Sequence, residues 1–179
     1  MTDTPAALYL KDVPDQFRKL KDLADKGVAQ VRDEDLFVTL DAESNSLAHL
    51  LQHMGGNLLS RFTDFLTTDG EKPDRNRDSE FEARPGTTSR SDLVARWESG
   101  WNALFGALDG LTEADLTRTV LIRAEPHTVV RALDRALTHA AYHVGQIVFL
   151  AKHFASDRWQ TLSVPRGGTK AFNERMFGR

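Results

Sequence analysis

Apolar residues recur at steps of three and four in four long stretches of this chain, the spacing of an α-helix with one buried face. The first stretch covers residues 5–31, with Tyr9, Leu10, Val13, Phe17, Leu20, Leu23, Ala24, Val28 and Val31 on its stripe. Pro14 lies inside it and would remove a helical hydrogen bond, so this helix is expected to start near Pro14 rather than cross it. The second runs from about Leu47 to Leu66, with Leu47, Leu51, Met54, Leu58, Phe62 and Phe65 apolar. Ser44, Asn45 and Ser46 offer capping oxygens ahead of it. The third begins at a Ser89 or Ser91 cap, carries Leu93, Trp97, Trp101, Leu104, Phe105 and Leu108, and stops at Asp109–Gly110. The fourth spans roughly Thr128 to Phe154.

Between the third and fourth patterns, TVLIR is short and β-prone and EPH reads as a turn, so Thr117–Val130 is either extended or a loop. The last 25 residues, around Pro165–Arg166–Gly167–Gly168, carry no helical period and are expected to be irregular. No internal repeat is present. Four amphipathic helices and almost no strand predict an all-α fold, an antiparallel four-helix bundle, in one domain. Trp97 and Trp101, one turn apart, are expected in its core.

Composition narrows the chemistry. The 179 residues are 40% hydrophobic and 27% charged, as in a globular protein with a packed core. The absence of cysteine removes disulfides, thiolate metal sites and cysteine nucleophiles. A net charge of −3 gives no reason to expect nucleic acid. Without a basic, apolar leader or an uninterrupted apolar run of about 18 residues, neither secretion nor a membrane span is expected, and the protein is read as cytoplasmic.

Two pairs of histidines stand four residues apart, His49/His53 and His139/His143. Residues at that spacing are offset by only about 40° around a helix, and their Cβ atoms lie roughly 5–6 Å apart. Two such imidazoles can reach one ion at about 2.0–2.1 Å. On the fourth helix His143 falls inside the apolar arc of Val129, Leu133, Ala136, Ala140 and Ile147, with His139 at its edge. This pair is either a metal-ligating pair or a hydrogen-bonded pair in the core. His53 lies on a polar row with Ser46, His49, Asn57, Ser60 and Asp64, which is either a solvated face or the lining of a cleft. HExxH is absent, which removes the helical zinc-protease arrangement; the absence of Glu-x-x-His weighs against a ferritin-like di-iron bundle, and the GxSxG, GxGxxG and P-loop patterns are missing too.

The stretches NSLAHLLQHMGGNLLSRFTDFLTTDGEKPDRNRDSEF (residues 45–81), HAAYHVGQIVFLAK and WQTLSVPRGGT resemble the DinB/YfiT-like superfamily of metal-binding four-helix proteins, in a branch whose function is unknown. The resemblance covers nearly the whole chain and is most specific from His53 through Phe81. It implies that His53, His139 and His143 bind a divalent metal, zinc first and nickel second, and that the polar row of the second helix faces a cleft. It leaves His49 outside the triad as a polar or partner-facing residue, and His127 and His153 as solvated.

Characterised relatives of that superfamily include transferases and an isomerase that use low-molecular-weight thiols such as bacillithiol or mycothiol. The resemblance therefore implies an S-transferase or hydrolase acting on a small molecule, and a homodimer. The alternative is a non-catalytic dimeric helical protein whose metal is structural or absent. Anionic groups on a thiol would need basic partners, for which Arg61, Lys72, Arg75, Arg77 and Arg166 are candidates. The loop from Asp69 to Arg84 holds six acids and four bases. Such a run is ordinarily a solvated connection, but its match to the DGEKPxRNRD pattern makes Asp78 and Glu80 candidates for a general base or a partner of a histidine. The basic segment from Arg158 to Arg179 is expected to be a solvated tail.

Overall fold

The computed structural model describes residues 2–178. They form five α-helices and one two-stranded antiparallel sheet. The helices are α1 (Pro5–Val28), α2 (Leu47–Phe62), α3 (Arg90–Asp109), α4 (Val129–Ala155) and α5 (Thr169–Phe177); the strands, between α3 and α4, are β1 (Thr119–Ile122) and β2 (Glu125–Thr128). Helix α2 packs on α3 and α4, and α1 packs on α4 and α3. Trp101, Phe17, Leu50, Met54, Leu104, Leu133 and Ile147 fill the space between them. Trp97 and Trp101 are both buried, as their spacing predicts. Among the described residues no helix is long and apolar enough to cross a membrane.

Capping explains where the helices begin. Ser46 and Ser89 each accept a hydrogen bond from the backbone N–H three residues on, and that third residue returns one to the cap. At the head of α2 the returning group is His49, whose Nδ1 accepts from Ser46 N–H at 3.3 Å. His49 is thus a capping residue rather than a partner-facing one. Thr4 caps α1, with Pro5 in the first turn, where its missing N–H costs nothing.

Four sequence expectations are corrected. Helix α1 starts at Pro5 and passes through Pro14, because Val13 and Phe17 are buried on either side of it and hold the helix on the core. Helix α2 ends at Phe62, since Asp64 adopts a left-handed backbone (φ 50); Phe65 still turns inward against Phe62. EPH is not a turn but part of β2, with Pro126 opposite Leu121; the turn is Arg123–Ala124, both at positive φ. Asp69 binds the backbone N–H groups of both turn residues, at 2.8 and 2.7 Å, which offsets the strain of left-handed non-glycine residues. The C-terminal region contains α5, which is short and has no buried residue, so core periodicity could not mark it.

Helices α2 and α3 approach closely through glycines on both. A Cβ on Gly100 would stand 2.5 Å from the carbonyl oxygen of Gly55, whereas one on Gly106, on the same helix, would meet nothing within 4 Å. The two positions should therefore respond oppositely to alanine. Gly100→Ala should destabilise by about 1–3 kcal/mol, because α2 and α3 must separate. Gly106→Ala should stabilise by roughly 0.5–1 kcal/mol through helix propensity alone. Urea denaturation of both variants measures the two signs.

Candidate metal centre

His53 on α2 and His139 and His143 on α4 meet at the floor of a cleft of about 870 Å³. One ring nitrogen from each lies within 4.8 Å of the others. The Nε2 atoms of His53 and His139 are 3.4 Å apart. Two nitrogens bonded tetrahedrally to one ion at about 2.0–2.1 Å would sit roughly 3.3–3.4 Å apart. His53 and His143 are buried and His139 half-buried; of the polar row on α2, His53 and Asn57 line the cleft, while Ser46 and His49 cap the helix and Ser60 binds the loop at Gly70 and Lys72. Asp64 at its far end is exposed.

Neighbouring groups fix how two of the imidazoles face. His53 Nδ1–H donates to Glu80 Oε2 at 2.9 Å, leaving Nε2 as a lone pair turned into the cluster. His143 Nδ1–H donates to the Gln146 side-chain carbonyl at 2.8 Å, with the same result. An acceptor behind a histidine that sets its tautomer is the usual support of a metal ligand. His139 lacks that support: its Nδ1 is buried without a hydrogen-bond partner, and its Nε2 meets the Nε2 of His53. Three converging imidazoles with no thiolate among them suit a divalent transition metal without selecting which one. The donor set therefore fits a divalent ion.

Behind His53 the support is ionic. Arg75 grips Glu80 with two parallel bonds, Nε to Oε1 at 2.8 Å and Nη2 to Oε2 at 2.9 Å. Both side chains are almost fully buried. Burial opposes the Glu80 charge, but hydrogen bonds from His53 and Arg75 outweigh it and hold the carboxyl below its ordinary range. Gly56 makes room for this pair, since a Cβ there would lie 2.1 Å from Glu80 Oε1. Phe81 stacks on the His53 ring at 5.2 Å, and the Arg77 guanidinium lies over the Phe81 ring at 5.2 Å.

The sequence candidates separate on this geometry. Arg61, Arg75 and Arg77 line the cleft. Arg166 is exposed and lies outside the lining, and Lys72 turns to the carbonyl of Asp69. Asp78 is exposed and away from the cleft. Glu80 is the partner of His53 and has both oxygens engaged. His153 is exposed. His127, expected in solvent, is buried under the hairpin, because strand alternation turns it inward opposite Val120; its Nδ1–H donates to the Glu125 carbonyl and its Nε2 accepts from Arg135.

Sequence reading missed Gln146, Tyr142, Arg135 and Arg123. Gln146 and Arg135 stand three residues after His143 and four before His139, so helical spacing marks both as neighbours of the histidines. Tyr142 packs its ring on His143 at 4.4 Å from the exposed lip. Arg123 reaches the cleft only through the hairpin turn, which carries no periodic signal.

Burial and the charge of neighbouring His143 and His53, then of Arg61 and Arg75, push the His139 pKa down to about 3. Burial, against the opposing bond to Gln146, brings His143 to about 4. Both rings are therefore neutral, the form that binds metal, well below the unfolded value of about 6.5. Between those limits the unfolded chain takes up protons that the folded chain refuses. Metal-free protein should thus be most stable above pH ~6.5 and lose stability steadily as pH falls toward 4. Urea midpoints across that range, in the presence of chelator, measure the slope; it should flatten in His139→Gln.

No curated protein matches the chain. A family model described as a protein of unknown function (DUF1572) matches residues 4–168. That span takes in all three clustered histidines, the loop that supports them and the four long helices, and it makes the chain a member of this family of unknown function.

Proposed function

We propose that this chain is a divalent-metal-dependent enzyme of the DinB/YfiT-like four-helix type, with His53, His139 and His143 as ligands and zinc ahead of nickel as the metal. The observation that carries the reading is the convergence of three imidazoles, two with their tautomers set from behind, at the floor of an open cleft. The bundle assignment is supported by the packing of α2 on α3 and α4 and of α1 on α4 and α3. Three protein ligands leave room for a further one, which distinguishes a reactive site from a closed structural one. A divalent ion held there supplies Lewis acidity toward a water or an anionic sulfur.

The rest of the chemistry belongs to the chain. Arg75 and Glu80 hold His53 in one tautomer and one orientation, and Gln146 does the same for His143. Phe81 and Tyr142 cover the ring faces and restrict access of solvent to them. Among the described residues the lining of the cleft contains no carboxylate, lysine or serine, the chain has no cysteine, and the hydroxyls there are those of Thr138, which donates to the Asp134 carbonyl, and Tyr142 at the lip. With no thiolate or carboxylate nucleophile in the lining, the reading favours transfer to a low-molecular-weight thiol that arrives with the substrate, with hydrolysis second. The proposal extends to a cytoplasmic homodimer; the exposed Tyr142, Phe149 and Leu40, which border one depression beside the cleft, are suited to contact with a second copy. The competing reading is a helical protein in which the metal is only a staple.

Elemental analysis of untagged protein should find about one equivalent of zinc or nickel, lost in His143→Ala while circular dichroism retains the helices. Glu80→Gln should weaken metal binding about 10–100-fold without removing a ligand. Metal absent from the wild type even after reconstitution would overturn the proposal; helices lost together with the metal would favour the staple.

A further inference from the structure

The cleft does not end at the histidines. Arg61 stands two turns beyond His53 on α2, about 12 Å along the axis, and Arg135 one turn before His139 on α4, about 6 Å. His53 meets His139, while Arg61 feels the charge of Arg135, so both helices lead from the histidines toward the same end of the cleft. Arg123 joins them there from the hairpin turn.

This end has more cation than its surroundings satisfy. Arg61 is mostly buried, its Nη1 has no hydrogen-bond partner among the described residues, and the carboxylate oxygen facing it, on Glu71, is 4.0 Å away. That carboxylate already accepts from Arg75 and Arg123. The Asp69 carboxylate is taken by backbone N–H groups of Glu71, Arg123 and Ala124. Burial lowers the Arg61 pKa to about 10 against the attraction of Glu71, and the charges of Arg135, Arg123 and Arg75 add to the effect. Arg135 is oriented by His127, to which its Nη1 donates at 3.2 Å, and is 3.8 Å from Glu125. Gly70 packs over the Arg61 stem, where a Cβ would come within 3.2 Å of Cδ, so the loop fits around this arginine rather than displacing it. A buried guanidinium donor without an acceptor is costly to keep. A ligand oxyanion is the group that would satisfy it.

We infer that Arg61, Arg123 and Arg135 bind the oxyanion of a small-molecule substrate, a phosphate or a carboxylate, held roughly 6–12 Å from the histidine cluster. The inference rests on reading that cluster as the reacting end of the cleft. It sets the substrate as an anionic, bifunctional molecule, with its acid group separated from the reacting atom by several bonds. Guanidinium forks offer two parallel bonds to either kind of oxyanion, and an amide or hydroxyl could not replace them with equal strength.

The test is calorimetric titration of the full chain with inorganic phosphate and with succinate, on protein as purified and again after chelation. Saturable binding of at least one anion is expected, in both preparations. Binding should weaken about tenfold or more in Arg61→Met and in Arg135→Gln. It should be unchanged in Arg18→Gln, on the exposed face of α1, and retained in His143→Ala. Phosphate alone bound would assign a phosphate ester, and succinate alone a carboxylate; both bound would assign the site without choosing. Arg135 is half-exposed, so its variant keeps the test open should Arg61→Met fail to fold. No saturable binding, equal binding in Arg135→Gln, or binding lost on chelation would overturn the inference. Metal content separates the two readings: metal without anion binding removes this inference alone, and anion binding without metal removes the metal-dependent function alone.

Discussion

The ion pair between Arg75 and Glu80, buried beside α2, is the contact on which the site depends. Two parallel bonds tie the guanidinium to the carboxylate, and the same carboxylate holds His53 Nδ1. Such a pair adds little net stability over a well-packed apolar one, because both charges have lost their water. Its effect is on geometry. Removing either partner would leave the other charge buried, at about 3–5 kcal/mol, so the loop carrying both has one low-energy position against α2. With that position set, the His53 ring can face His139 and His143 across the gap between α2 and α4.

The acidic and basic loop from Asp69 to Arg84 is therefore solvated on one side, where Asp74, Asn76, Asp78 and Glu82 are exposed, and anchored on the other by its contacts to α2. Ser60 on α2 donates to the Gly70 carbonyl and accepts from Lys72 N–H, which anchors the start of the loop. Asp69 fastens the hairpin turn, and Glu80 fastens His53. One segment thereby connects α2, the hairpin and the cleft wall. Gly56 is the concession in α2 that lets Glu80 approach the helix backbone, and Gly55 lets α3 do so on the neighbouring side. Both have a cost in helix propensity that the contacts made across them offset.

The histidine cluster illustrates how local and distant information divide. His139 and His143 are readable as a pair because one helix carries both and its period sets their angle. His53 is not readable in that way: its row is polar, and periodicity alone places it in solvent as readily as in a cleft. His49 shares its spacing with His53 yet serves as the cap of α2, since an imidazole at the third position of a helix can reach back to the cap N–H. His127 is illegible for the converse reason, lying in a strand too short for alternation to show which side is covered.

What the sequence determined by itself was local: four helices from their period, the starts of α2 and α3 from their serine caps, the end of α3, the pairing of His139 with His143, and the exclusion of cysteine chemistry. These depend on residues within a turn or two of one another. Only the tertiary structure decided that α1 survives Pro14, that EPH is a strand, that Glu80 rather than Asp78 meets the site, and that Arg61, Arg123 and Arg135 share one end of a cleft. Apart from the local pairing of EPH with β1, those outcomes depend on partners far apart in the chain, brought together by burial of the helix faces, and burial energy depends on area rather than on sequence distance.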